Sequence, residues 1–124
     1  MADNVIQGEG FTVRESKFDF FFGRVTSDPT NTQRSLQNLR ELSRLGIDEA
    51  TGGRERLMQI FREGLNAPEI PEDRRDTEYG TSITRKLEVS GTEATGAIFI
   101  RYYYPESDLG AIPQVASLVV KTYR

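Results

Sequence analysis

The chain has 124 residues, a formal net charge of −3, and neither cysteine nor histidine. That length suits one domain with a sizeable core. The two missing residue types exclude disulfides, thiolate chemistry, the commonest zinc ligands, and the Ser-His and Cys-His nucleophilic pairs. Catalysis is left to carboxylates, Tyr, Lys, Arg, hydroxyls or backbone groups. No run approaches the roughly 18 apolar residues of a membrane span, and Met1 to Gly10 lacks the basic-then-apolar order of a signal peptide. The composition therefore reads as one soluble domain, 1–124, of a reducing compartment, with residues 1–10 disordered, no cofactor and no membrane partner. The acidic balance argues against broad electrostatic capture of nucleic acid. Yet 13 of the 16 basic residues are Arg, whose planar fork suits carboxylates and phosphates, so a local phosphate site stands beside the plainer reading of a solvated Arg-rich surface.

In chain order, the aromatic run Phe18 to Phe22 reads as a short buried strand closed by Gly23. An exposed platform for bases or a partner is the rival, but so much apolar area gains most by burial. Asp28-Pro29 marks a helix start, with Asp28 as cap, Pro29 in the first turn and Asn31 as a competing cap. Leu36, Leu39, Leu42 and Leu45 then form a drifting apolar stripe that ends at Gly46. A second helix begins between Asp48 and Gly53 and runs to about Leu65, carrying Leu57, Met58, Phe61 and Leu65 on its packed face. Pro68 and Pro71 make Asn66 to Thr77 a loop, long enough to suggest function as well as a plain surface excursion.

From Gly80 the period becomes two. Thr81, Ile83, Arg85, Leu87 and Val89 share one strand face, and Ser82, Thr84, Lys86 and Glu88 the other. Arg85 interrupts the apolar face, so it needs a structural ion-pair partner, an opening or a ligand. Gly91 to Gly96 reads as a turn, Ala97 to Tyr104 as a second strand, and Val115 to Tyr123 as a third. The expected fold class is α+β: an N-terminal strand and two helices packed on a C-terminal antiparallel sheet of three to four strands.

Phosphate-cradling loops, calcium loops and nucleophile elbows are missing from the sequence. Two polar segments stand out: Asp28-Pro29-Thr30-Asn31-Thr32-Gln33-Arg34-Ser35-Leu36-Gln37-Asn38 and Glu78-Tyr79-Gly80-Thr81-Ser82-Ile83-Thr84-Arg85-Lys86-Leu87. With Phe21-Phe22-Gly23-Arg24-Val25 ahead of them and Leu45-Gly46-Ile47 between, they resemble, over roughly Phe18 to Leu87, the C-terminal toxin domains of bacterial contact-dependent and polymorphic toxin systems. Such domains are similar to the fold group that unites EndoU, colicin-type and RelE ribonucleases. Toxin domains of this appearance carry a His-Asn pair where this chain has Thr30-Asn31, a departure that leaves a diverged or inactive relative open.

The resemblance implies metal-independent RNA cleavage, in which cations stabilise the phosphorane. It makes Arg34, Tyr79, Thr81 and Arg85 the candidate catalytic residues, with Arg34 and Arg85 as the phosphate-stabilising pair and Tyr79 or Glu78 moving protons. Asn31, Asn38 and Arg101 are the candidate substrate contacts. It also implies RNA and a cognate immunity protein as partners, and delivery as the C-terminal part of a secreted protein that acts in the cytoplasm. The alternative is a non-catalytic interaction module that pairs through an exposed Tyr102-Tyr103-Tyr104 strand, or a homodimer whose shared sheet buries those tyrosines.

Overall fold

The computed structural model describes residues 4–24, 28–91 and 94–123, so Val25 and part of the Gly91 to Gly96 turn lie outside the described residues. Its centre is the antiparallel meander that the period-two pattern predicts: β4 (Gly80–Ser90), β5 (Thr95–Pro105) and β6 (Gln114–Thr122). The sheet is wider than expected, however. Two short strands, β1 (Val5–Gly8) and β2 (Phe11–Arg14), form a hairpin that joins β6, and β3 (Arg75–Asp76) pairs with β4. The result is a six-stranded mixed sheet in the order β1-β2-β6-β5-β4-β3, with β2 parallel to β6. The start of the chain, read as disordered, thus supplies two strands, with Phe11 and Val13 turned into the core.

The Phe18 to Phe22 run is a correction. It lies in helix α1 (Ser16–Phe21) and its C-terminal turn, not in a strand. Phe18, Phe21 and Phe22 are buried at the three- and four-residue spacing of a helix face, while Phe20 is only partly buried. The sequence predicts the burial, but the period of so short an apolar run does not separate helix from strand.

Helix α2 (Pro29–Arg44) starts as predicted, because the Asp28 carboxylate accepts from the Asn31 backbone N–H at 2.9 Å and Pro29 occupies the first turn. Gly46, at φ +77°, takes the left-handed stop position. The leucine stripe is only half buried: Leu42 and Leu45 are in the core, but Leu36 is 43% exposed and Leu39 also faces outward. A three-residue step falls short of a full turn, so the stripe rotates off the core, and Ser35 and Asn38 hold the buried positions instead. Ser35 Oγ donates to the Phe20 carbonyl at 2.7 Å, which fixes α1 against α2.

Helix α3 (Gly53–Gly64) follows a short 3-10 turn at Glu49–Thr51 and buries Leu57, Ile60 and Phe61 against the sheet. Gly64 is required by close approach: a Cβ there would collide with Tyr102 Oη and Ile100 Cδ1. The predicted loop after it runs along the outer side of β4, where Ile70 N donates to Thr84 O and Lys86 N to Pro68 O.

The core face of the sheet carries Ile83, Val89, Ile98, Ile100, Tyr102, Val115, Leu118 and Val120. The opposite face carries Thr84, Lys86, Phe99, Arg101, Ser117 and Lys121. Tyr102 is fully buried and Tyr104 nearly so. Because β5 lies between β4 and β6, the expected exposed tyrosine edge does not exist, and the chain's own core provides the burial assigned to a shared dimer sheet. Among the described residues, no helix is long and apolar enough to cross a membrane.

Candidate functional site

Pairing between β5 and β6 slips after Arg101. Arg101 faces Ser117 and Tyr102 faces Val115, so Ala116 is skipped. Such a bulge bends the strand and re-aims its side chains. On one side of it Tyr102 is anchored in the core, where its hydroxyl donates to the Phe61 carbonyl. Burial pushes that phenol well above its ordinary range. On the other side Arg101 projects from the outer face.

Beyond its pairing with Thr12 at Gln114, the far edge of β6 meets α2 instead of a strand. Thr122 Oγ1 donates to Glu41 Oε2 at 2.6 Å and ties the two elements at one end. Farther along, α2 and β6 part to form a cleft of about 380 Å³. Arg34, Gln37 and Asn38 of α2 line it from one side, Arg101 and Ser117 from the other, with Phe20 at its border. Asn38 is only 7% exposed, so its amide is held in place by packing.

The electrostatics of this cleft are one-sided. Arg24, Arg44, Arg54, Arg62 and Arg74 pair with carboxylates; Arg34 and Arg101, like Arg14, Arg40, Arg56, Arg75 and Arg85, have no ion-pair partner among the described residues, and what sets the two apart is that they line one cleft. None of the residues lining the cleft is an Asp or Glu. Two guanidinium groups beside amide and hydroxyl groups make a receptor for an oxyanion with several acceptor oxygens. The lining also holds no Tyr or His, so the arrangement can stabilise charge and orient groups but offers no side chain suited to moving protons.

The structure thus divides the residues picked from sequence into separate places. Arg34, Asn38 and Arg101 meet in the cleft. Asn31 lies on the first turn of α2, its Nδ2 donating to Asp28 Oδ2 at 2.8 Å. Arg85 lies on the core face of β4, where Nη1 donates to the Ala67 carbonyl at 2.8 Å; the partner it needs there is a backbone oxygen, not a carboxylate. Thr81 is buried at the start of β4, donating to Asp76 Oδ1 at 2.6 Å and lying 2.9 Å from Ser107 Oγ. Beside it, the Tyr79 side chain is 72% exposed, while its carbonyl accepts from Tyr103 Oη. The pair brought together is therefore Arg34 with Arg101, not Arg34 with Arg85. Gln37 and Ser117 were not picked from the sequence; Ser117 would have emerged from the same alternation that places Arg101 outward, had the β5–β6 register been known.

The fold is shared with a chain of a contact-dependent growth inhibition toxin–immunity protein complex from Klebsiella pneumoniae 342. The TM-score is 0.72 at 19% identity, covering 88% of this chain and 98% of that one. At that identity the likeness is one of fold. No protein-family model and no curated protein sequence matches the chain.

Proposed function

We propose that the chain is a toxin-type domain that engages RNA in the cleft between α2 and the β5–β6 bulge and cleaves it without a metal ion. The observation that carries this reading is the convergence of two unpaired arginines, Arg34 and Arg101, in one cleft of an otherwise acidic chain. The shared fold with a chain of a toxin–immunity complex supports it, as does the resemblance of the Asp28 to Asn38 segment to toxin domains. Arg34 and Arg101 grip the scissile phosphate, while Gln37, Asn38 and Ser117 hydrogen-bond the ribose and phosphate oxygens. In the reaction the 2'-oxygen attacks phosphorus and loses its proton to solvent. The bond to the 5'-oxygen breaks as that oxygen takes up a proton, and the two guanidinium groups stabilise the charge on the pentacoordinate phosphorane. Delivery within a secreted protein, action in a target cytoplasm and inhibition by an immunity protein that covers the same cleft with acidic side chains complete the proposal.

A binding-only reading has one observation in its favour: no Tyr, His or carboxylate lines the cleft. Incubation of total RNA with purified protein in EDTA separates the two. Cleavage that falls by about 10²–10³ in Arg34→Ala and Arg101→Ala, and by far less in Arg85→Ala, supports the arginine clamp. Intact RNA that nevertheless binds in an Arg34- and Arg101-dependent way establishes the binding module. RNA neither bound nor cut, or a loss greatest in Arg85→Ala, refutes the cleft.

A further inference from the structure

On the outer face of the sheet a second pocket of about 190 Å³ lies next to the cleft and shares Arg101 and Ser117 with it. Its lining includes Thr84, whose side chain is 5% exposed and whose hydroxyl has no hydrogen-bond partner among the described residues. A buried hydroxyl without a partner is unfavourable; its oxygen has almost no accessible surface, so a ligand that accepts its proton must shift the side chains that cover it, and then relieves the cost. Lys121 lines the same pocket. Its ammonium group sits 5.5 Å from the Phe99 ring centroid, and that of Lys86 sits 5.9 Å from it. Phe99 therefore holds the Lys121 ammonium beside the pocket by its electron-rich ring, while Lys86 is also paired with Glu88 at 3.4 Å.

We propose that this pocket binds a phosphate-type oxyanion, with the Thr84 hydroxyl donating to it and Arg101 and Lys121 balancing its charge. Asp73, also in the lining, repels the anion from one side and so directs it toward Arg101. The pocket goes beyond the RNA cleft and does not require cleavage. A neighbouring phosphate along an RNA strand and free inorganic phosphate offer the same chemistry.

The test is an NMR titration of the whole chain with inorganic phosphate against chloride at matched ionic strength. It is repeated with a short RNA oligomer ending in a 3'-phosphate and with its unphosphorylated counterpart. Saturable shifts of the Thr84, Arg101 and Lys121 amides are expected. Thr84→Val weakens phosphate binding about tenfold by removing one charge-assisted hydrogen bond, and Asp73→Asn strengthens it severalfold. Thr84→Val removes a hydroxyl that no neighbour uses, so its urea midpoint stays level or rises, which separates lost binding from lost folding. Oligomer binding that prefers the 3'-phosphate assigns the site to an RNA strand; binding of inorganic phosphate alone assigns it to the free ion, and both support the pocket. Equal phosphate binding by Thr84→Val and the parent chain, or no saturable shift, overturns it. RNA binding that depends on Arg34, together with phosphate binding that is equal in Thr84→Val and the parent chain, overturns the pocket while leaving the cleft standing. Thr84-dependent phosphate binding without any engagement of RNA does the reverse.

Discussion

Replacing Tyr102 with Phe removes one hydroxyl from the point where the sheet is fixed to α3. The phenyl ring keeps its burial, so the change isolates the hydrogen bond to the Phe61 carbonyl. That carbonyl lies in the last turn of α3, where the helix ladder runs out. The backbone N–H of Leu65 turns to Arg62 O, and those of Asn66 and Ala67 to Glu63 O and Gly64 O, so Tyr102 supplies the donor that the ladder does not. With the hydroxyl gone, a buried acceptor is left unpaired, at a cost of about 1–3 kcal/mol. For a chain of this size that corresponds to roughly 3–5 °C in Tm per kcal/mol.

The same residue gives the stability a pH dependence whose sign is fixed. Burial raises the Tyr102 phenol well above its ordinary 10.0, with Tyr104 adding to the rise and the Arg85 charge opposing it. The unfolded chain loses this proton near pH 10 while the folded chain keeps it, so the contribution is intact below about pH 10 and is lost as pH rises beyond it. Urea unfolding at neutral pH and again above pH 10 measures both effects. The parent chain loses stability across that interval, and Tyr102→Phe, less stable at neutral pH, loses less of it. A neutral-pH change below about 0.5 kcal/mol would refute the claim that this hydroxyl completes the end of α3.

Two further perturbations address α2. Asp28→Ala removes the carboxylate that caps the helix and should cost about 0.5–2 kcal/mol in urea unfolding. Leu42→Ala, at a fully buried position, should cost about 2–5 kcal/mol, whereas Leu36→Ala on the exposed side of the same stripe should stay within about 0.5 kcal/mol; equal costs would refute the half-buried stripe.

Local chemistry made α2, α3 and the three long strands legible in the sequence. Asp28-Pro29 and Gly46 are punctuation that acts within a few residues, and strict alternation from Thr81 to Val89 admits one reading. What stayed hidden depends on distant partners. The Phe18 to Phe22 run is too short for its period to decide between helix and strand, and only the packing of Phe18 and Phe21 against the rest of the core settles it. Strands β1 and β2 are four residues each, and β2 gains its neighbour from the far end of the chain. Among candidate site residues, Arg34 and Asn38 share one segment in the sequence, whose resemblance pairs Arg34 with Arg85; their meeting with Arg101 instead depends on the β5–β6 bulge and the angle at which α2 lies along β6. Thr84 was read only as one residue of an outward face, since nothing in the sequence tells a paired hydroxyl from an unpaired one.

The parallel pairing of Thr12 with Gln114 has a bearing on how the molecule assembles. The β4–β5 hairpin closes through a short loop and can form before β6 is available, whereas the seam between β6 and β2 joins nearly opposite ends of the chain and forms only once the last strand has been added. Until then the β1–β2 hairpin has no sheet to extend, and Phe11 and Val13 have no finished core to enter. A chain emerging slowly or threading through a narrow passage would therefore acquire its fold at the final step, with the seam setting the order of events.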